Sequence, residues 1–196
     1  MTSLAVIRHG PTTWNEDKRL QGRADVTLSA DGRAVVAAWR LPFETAGFAW
    51  TSSPLRRAVE TAEILGARNL VTESRLTEMD WGAWEGRRLA ELRRELGAAM
   101  AENEARGLDF QAPGGESPRQ VGERLTPWLG EVGARGEPTL AVTHKGVIRA
   151  LLALATGWTM TGEAPAKPGR AAAHLFRLDG AGNIEVEHLD MALDPG

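Results

Sequence analysis

Two histidines that end short apolar runs are the residues of this chain best placed to do chemistry. Leu4-Ala5-Val6-Ile7 leads into Arg8-His9-Gly10-Pro11, and Thr139-Leu140-Ala141-Val142-Thr143 leads into His144. By average composition, a chain of this length contains Arg-His-Gly about one time in a hundred. An imidazole beside a guanidinium suits phosphoryl transfer. Such transfer needs a neutral attacking nitrogen, cations around the equatorial oxygens and a proton for the leaving oxygen. Arg8 supplies one cation and, as a like charge, opposes protonation of His9. A backbone carbonyl on the other ring nitrogen would fix the tautomer.

Other chemistries are closed off. The chain has no cysteine, so disulfides, thiolate metal sites and a cysteine nucleophile are excluded. There is no Gly-x-x-x-x-Gly-Lys-Ser/Thr loop, and no His, Asp and Glu grouping has metal-ligand spacing. The reading therefore calls for no metal and no cofactor. A net charge of −3 argues against a general nucleic-acid surface. No basic stretch followed by a long apolar one opens the chain, and no apolar run approaches the roughly 20 residues of a membrane span. The expectation is a cytoplasmic protein with neither a membrane nor a nucleic-acid partner.

The elements that must position the histidines follow from the pattern. Both apolar runs read as buried strands feeding functional loops. Phe48 to Thr51 and Leu70 to Thr72 read as further strands. Helices are expected from Ser29, as N-cap, to about Leu41 before Pro42, and from Ser53-Pro54 to Leu65. Others are expected over Arg88–Arg106, Pro118 to about Gly133 and Lys145–Ala155. Residues 76 to 86, Asp109 to Ser117 and the Pro/Gly stretch 162 to 170 read as loops. Ala173–Leu178 and Ile184–Leu189 flank Asp179-Gly180-Ala181-Gly182, which suggests a hairpin. Strands alternating with helices predict an α/β three-layer sandwich. Its central sheet is mainly parallel, with an antiparallel edge and a small inserted helical cap. The whole chain, 1–196, reads as a single domain, with the cap falling at about 80–117. Sites in such sheets lie at the carboxyl ends of strands, so one crevice can hold both histidines.

Several motifs in one order resemble the histidine phosphatase (phosphoglycerate-mutase-like) superfamily. Arg8-His9-Gly10-Pro11-Thr12-Thr13-Trp14-Asn15 with Arg19-Leu20-Gln21-Gly22 is similar to its opening signature, and Leu28-Ser29-Ala30-Asp31-Gly32 to the helix start that follows. Ser52-Ser53-Pro54-Leu55-Arg56-Arg57-Ala58 resembles its second phosphate-binding element, and Leu76-Thr77-Glu78-Met79-Asp80-Trp81-Gly82 its acid-bearing loop. Pro113-Gly114-Gly115-Glu116-Ser117 and Val142-Thr143-His144-Lys145-Gly146 complete the order. The resemblance implies that His9 is the nucleophile, that Arg8 and Arg57 clamp phosphate, that His144 stabilises the transferring group and that Glu78 protonates the leaving oxygen. Arg57 is preferred to Arg56 because it directly precedes Ala58. Asn15, Gln21 and Gly22 match positions that line the phosphate and substrate side. Lys145 stands where the family usually has Gly, and is read either as a contact to a second acidic group on the substrate or as a residue pointing to solvent. Two arginines with a protonated His144 would make a cationic pocket for a dianion. Trp81 and Trp84 are read as core residues or pocket walls, and His174 and His188 as structural.

The function this implies is hydrolysis of a small phosphomonoester, such as a sugar phosphate or α-ribazole phosphate, through phosphohistidine. A phosphoglycerate mutase is the alternative. A non-catalytic phospho-ligand module fits less well, because both histidines, both arginines and the acid are all present.

Overall fold

A computed structural model describes residues 1–166, 169 and 171–193. In chain order the strands and α-helices are β1 (Thr2–Arg8), α1 (Thr13–Glu16), α2 (Ala30–Ala38), β2 (Ala49–Ser52), α3 (Arg56–Ile64) and β3 (Val71–Thr72). There follow α4 (Leu89–Leu96), α5 (Ala98–Glu104), α6 (Pro118–Arg135), β4 (Thr139–Thr143), α7 (Lys145–Thr156), β5 (Ala172–Leu178) and β6 (Ile184–Ala192).

The strands form one sheet in the order β3-β2-β4-β1-β5-β6. The first four are mutually parallel, while β5 runs antiparallel to β1 and β6 antiparallel to β5. The α/β architecture with a mainly parallel sheet is therefore as the strand pattern implied. Alternation along the central strands builds both flanking layers. Leu4 and Val6 of β1, Ala141 of β4 and Phe176 of β5 face one core with α6 and α7. Ala5, Ile7, Leu140, Val142 and Leu175 face the other, with Val36 of α2 and Ala58 and Ala62 of α3. A third, smaller cluster is joined to the first through Trp81 and Phe110, which pack against both. Trp84, Leu92, Met100 and Ala112 are buried together, with Leu20, Leu89 and Phe110 packed against them. It holds α4 and α5 in place.

Helix ends follow local chemistry. Ser29 accepts from the Gly32 N–H at 3.0 Å, as an N-cap should. Ser117 and Gln120 form a capping box at the start of α6, which ends two residues later than expected at left-handed Gly136. Two expectations are corrected. The charged stretch 88–106 is two helices, because Gly97 takes φ 50° and ψ −119°, a backbone conformation outside the helix. The helix after Ser53 starts at Arg56, since the Ser53 N–H still bonds Val142 O at 2.9 Å alongside β4. The short helix α1 is additional to the expected elements, and Thr12 with Asn15 builds its capping box. Of the Pro/Gly stretch 162–170, positions 167, 168 and 170 lie outside the described residues; 162–166 are irregular. No helix among the described residues is long and apolar enough to cross a membrane.

Candidate active site

Parallel pairing of β1 with β4 brings the two histidines together. His9 extends the ladder by one bond, from its N–H to Thr143 O at 2.9 Å, and His144 is the next residue on the partner strand. Their rings lie 5.2 Å apart between centroids. His9 Nδ1 sits 2.7 Å from Gly10 O. A carbonyl only accepts, so Nδ1 carries the hydrogen and Nε2 carries the lone pair. The tautomer argued from the sequence is thus present. Gly10 has no room for a Cβ, which would press into Val36, and its N–H bonds Thr61 Oγ1 at 3.0 Å. Thr61 Oγ1 in turn donates to Arg57 O at 2.6 Å, so the nucleophile loop is tied to α3.

Arg57 and His144 are fully buried and His9 is 3% exposed. The Arg57 guanidinium donates to Ala24 O at 2.7 Å and to Gly22 O at 2.8 Å, while its Nε has no partner among the described residues. Burial pulls its pKa below the ordinary value, and Glu78, Asp25 and Glu85 pull it back up. Arg56 is exposed on the same helix, which supports the choice between the two. Gly22, at φ 50°, lets the chain turn so that its carbonyl faces Arg57, and a Cβ there would overlap Glu85 Oε1.

His144 Nε2 lies 2.8 Å from Ser53 Oγ, and its buried Nδ1 has no partner among the described residues. Burial pushes its pKa well below the ordinary histidine value, with Arg57, His9 and Arg8 adding to the effect. His144 is therefore neutral in the protein alone, which corrects the expectation of a resident imidazolium. A phosphate dianion beside it would act in the opposite direction.

Glu78 closes the site from the third side. Its Oε1 accepts from Met79 N–H at 2.8 Å and from Gly146 N–H at 3.1 Å. The N-terminus of α7 thus receives the protein's own carboxylate. A Cβ at 146 would displace that carboxylate from its place. Arg124 of α6 pins the acid loop, donating to Arg75 O, to Thr77 O at 2.6 Å and to Glu116 at 3.0 Å.

These groups line a cavity of about 500 Å³ that continues outward under α4 and α5. Arg8, His9, Arg57 and Glu78 form the inner end, and Asn15, Gln21, Gly22 and Lys145 also line it. Asn15 has a second task, since its Oδ1 accepts from Thr12 N–H at 3.2 Å. Gln21 Oε1 accepts from Thr12 Oγ1 at 3.0 Å. Lys145 is exposed at the mouth. Trp84 is buried core, whereas Trp81 is half-buried and forms wall, with its ring edge-on to Phe110 at 5.7 Å. His174 is buried in β5, accepting from Asp190 N–H at 3.3 Å, and His188 is exposed on β6.

Two supporting residues escaped the sequence reading, Ser53 as partner of His144 and Arg124 behind the acid loop, and Glu85 has an unexpected task, accepting from Arg23 N–H at 2.6 Å and so bracing the turn that holds Arg57. Ser53 lies within a motif quoted above and Glu85 within the loop 76 to 86, but nothing local names partners 91 and 62 positions away.

Several known proteins are similar to this chain. The model of the histidine phosphatase superfamily (branch 1) matches residues 4–188. Phosphoglycerate mutase-like protein 4 of Arabidopsis thaliana is 36% identical over 160 residues, covering 76% of this chain and 68% of its own length. Glucosyl-3-phosphoglycerate phosphatase of Mycolicibacterium vanbaalenii is 36% identical over 168 residues, covering 79% and 74%. Among solved structures, a mycobacterial glucosyl-3-phosphoglycerate phosphatase in complex with VO3 superposes with a TM-score of 0.78 at 27% identity, covering 99% of this chain and 100% of that one. The chain is a hydrolase of phosphate esters and belongs to the histidine phosphatase superfamily.

Proposed function

We propose that this protein hydrolyses a small soluble phosphomonoester in two steps through a phosphohistidine on His9. The observation that carries the reading is the Nδ1–Gly10 O bond, which leaves Nε2 as the basic nitrogen at the inner end of a cavity it shares with Arg8, Arg57 and Glu78. In the first step Nε2 forms a bond to phosphorus as the ester P–O bond breaks, and Glu78 delivers a proton to the departing oxygen. Arg8 and Arg57 carry the charge of the equatorial oxygens, and His144 contributes a hydrogen bond from a water-excluded position. In the second step water attacks the phosphohistidine, Glu78 takes the water's proton, and inorganic phosphate leaves. Asn15, Gln21, Gly22 and Lys145 line the substrate side. The cytoplasmic location inferred from composition belongs to this reading.

The name of the Arabidopsis relative favours a mutase as the second reading. A mutase must keep its phosphohistidine from water and return the group to a second oxygen. Phosphate release measured beside phosphoglycerate isomerisation separates the two. Hydrolysis requires release to exceed isomerisation, and the reverse would make the protein a mutase.

Glu78→Gln is expected to slow transfer from an alkyl phosphate by about a hundredfold or more, and from p-nitrophenyl phosphate by less than about tenfold. A leaving group of low pKa hardly needs the proton, and the amide keeps nearly the same shape. Single-turnover phosphorylation of His9 isolates this step. Equal slowing with both substrates would assign Glu78 to positioning instead.

Turnover is expected to persist in EDTA, because the two arginines supply the positive charge that a metal would otherwise bring. Loss of activity in the chelator, with recovery on adding a divalent cation, would overturn this.

A further inference from the structure

The segment that carries Glu78 is gripped on both sides by one ion pair, Arg124 with Glu116. Ahead of Glu78, Arg124 donates to Arg75 O and, at 2.6 Å, to Thr77 O. Behind it, the Asp80 N–H donates to Glu116 Oε2 at 3.1 Å, and the Glu116 N–H donates back to Asp80 O at 2.9 Å. The two grips are joined. Arg124 Nε donates to Glu116 Oε1 at 3.0 Å and Nη2 to Oε2 at 3.2 Å, and both side chains are largely buried.

Arg23 extends the frame to the phosphate clamp. Its Nη2 lies 3.1 Å from Glu116 Oε1 and its Nε 3.7 Å from Asp80 Oδ2. It stands between Gly22 and Ala24, whose carbonyls hold the Arg57 guanidinium. Each Glu116 oxygen thus meets two donors, which fills the roughly four acceptor positions of a carboxylate. Burial by itself would raise the pKa of Glu116, but Arg124, the Asp80 N–H and Arg23 together hold it below the ordinary glutamate value. The loop that delivers Glu116 lies backbone to backbone on the acid loop. A Cβ on Gly115 would meet Asp80 O, and one on Gly82 would meet Pro113 O. The Pro113–Ser117 motif, to which the phosphoryl chemistry gave no task, is shaped for this contact. Helix α6 does not depend on it, because Ser117 and Gln120 cap that helix.

We propose that Glu116 is a positioning residue for the proton transfer: it holds residues 77–80 so that the Glu78 carboxyl meets the departing oxygen. Misplacing a reacting group by about 1 Å costs about a hundredfold in rate. The inference rests on the phosphatase reading above, in which Glu78 is the acid, and deepens it.

The test is a double-mutant cycle of Glu116→Gln with Glu78→Gln. It is read by single-turnover phosphorylation of His9 from glycerol 3-phosphate and from p-nitrophenyl phosphate. Glutamine at 116 keeps the size and an acceptor for the Asp80 N–H, but turns an amide donor toward guanidinium donors. Glu116→Gln is expected to slow glycerol 3-phosphate by about tenfold to a hundredfold and p-nitrophenyl phosphate by less than about threefold. In the Glu78→Gln background it should cost less than about twofold, because the group it positions is already gone. Glu116→Asp keeps the charge and should recover part of the rate; it also carries the cycle if Glu116→Gln fails to fold. Losses that multiply in the double variant, or a preference between the two substrates unlike that of Glu78→Gln, overturn the positioning role. The two readings fail separately. If Glu78→Gln slows both substrates alike, the acid role of Glu78 falls, and the cycle still decides whether Glu116 acts through it. Absence of turnover by the wild type strikes the phosphatase reading instead. The same cycle is then run on the calorimetric dissociation constant of inorganic phosphate, where losses that multiply overturn the positioning role.

Discussion

His9→Ala is expected to lower turnover by at least about 10⁴-fold while leaving the fold intact. The imidazole is the proposed acceptor of the phosphoryl group, and no neighbour can substitute for it. His144 is 5.2 Å away, buried, and joined through Nε2 to Ser53. The fold survives because the bond from residue 9 to Thr143 O is made by the backbone, which alanine keeps. The check is rapid-quench labelling with a phosphomonoester, followed by mapping of an acid-labile phosphoryl group. The label should sit on the peptide containing His9 and vanish in the variant. Label found on His144, or turnover by the variant within tenfold of wild type, would remove His9 from its proposed role.

Arg57→Met should cut kcat/KM by about a thousandfold. Two effects compete in the protein without phosphate. Losing the guanidinium strands the Ala24 and Gly22 carbonyls, at about 1–3 kcal/mol each. It also removes a buried charge that was held below its ordinary pKa by desolvation, which offsets part of that cost. The net change in melting temperature is therefore small beside the change in activity. Phosphate reverses the balance in the wild type, because the dianion meets a cation already stripped of water. Inorganic phosphate should raise the melting temperature of the wild type and leave that of Arg57→Met unmoved. A variant that keeps activity within tenfold, or is still stabilised by phosphate, would transfer the clamp to Arg8 alone.

The parts legible in the sequence were those written locally. Val6-Ile7 before Arg8-His9 has the period and composition of a buried strand, and Ser29 and Ser117 have the chemistry of N-caps. The residues that line the inner cavity, from Arg8 to Lys145, sit in short stretches whose order carried the resemblance. What stayed hidden depends on distance in space. Gly97 reads as one weak point in a good helix until its φ is known to be 50°. The charge state of His144 depends on complete burial beside Arg57 and Arg8, none of which its own neighbours reveal.

The sheet order also sets when this enzyme can come into being. β1 lies between β4 and β5, so the strand that ends in Arg8 and His9 finds its first partner only when Thr139–Thr143 has been made. At about 5–20 residues per second, the ribosome needs roughly 7–26 s to travel from one to the other. Throughout that interval Leu4, Ala5, Val6 and Ile7, all fully buried at the end, have no sheet to join. Closing so long a loop is slow, and an unpaired apolar strand invites wrong partners. The nucleophile and its neighbouring histidine are thus assembled in one late event, the docking of β4 against β1, and the nascent chain has no phosphoryl-transfer site before it.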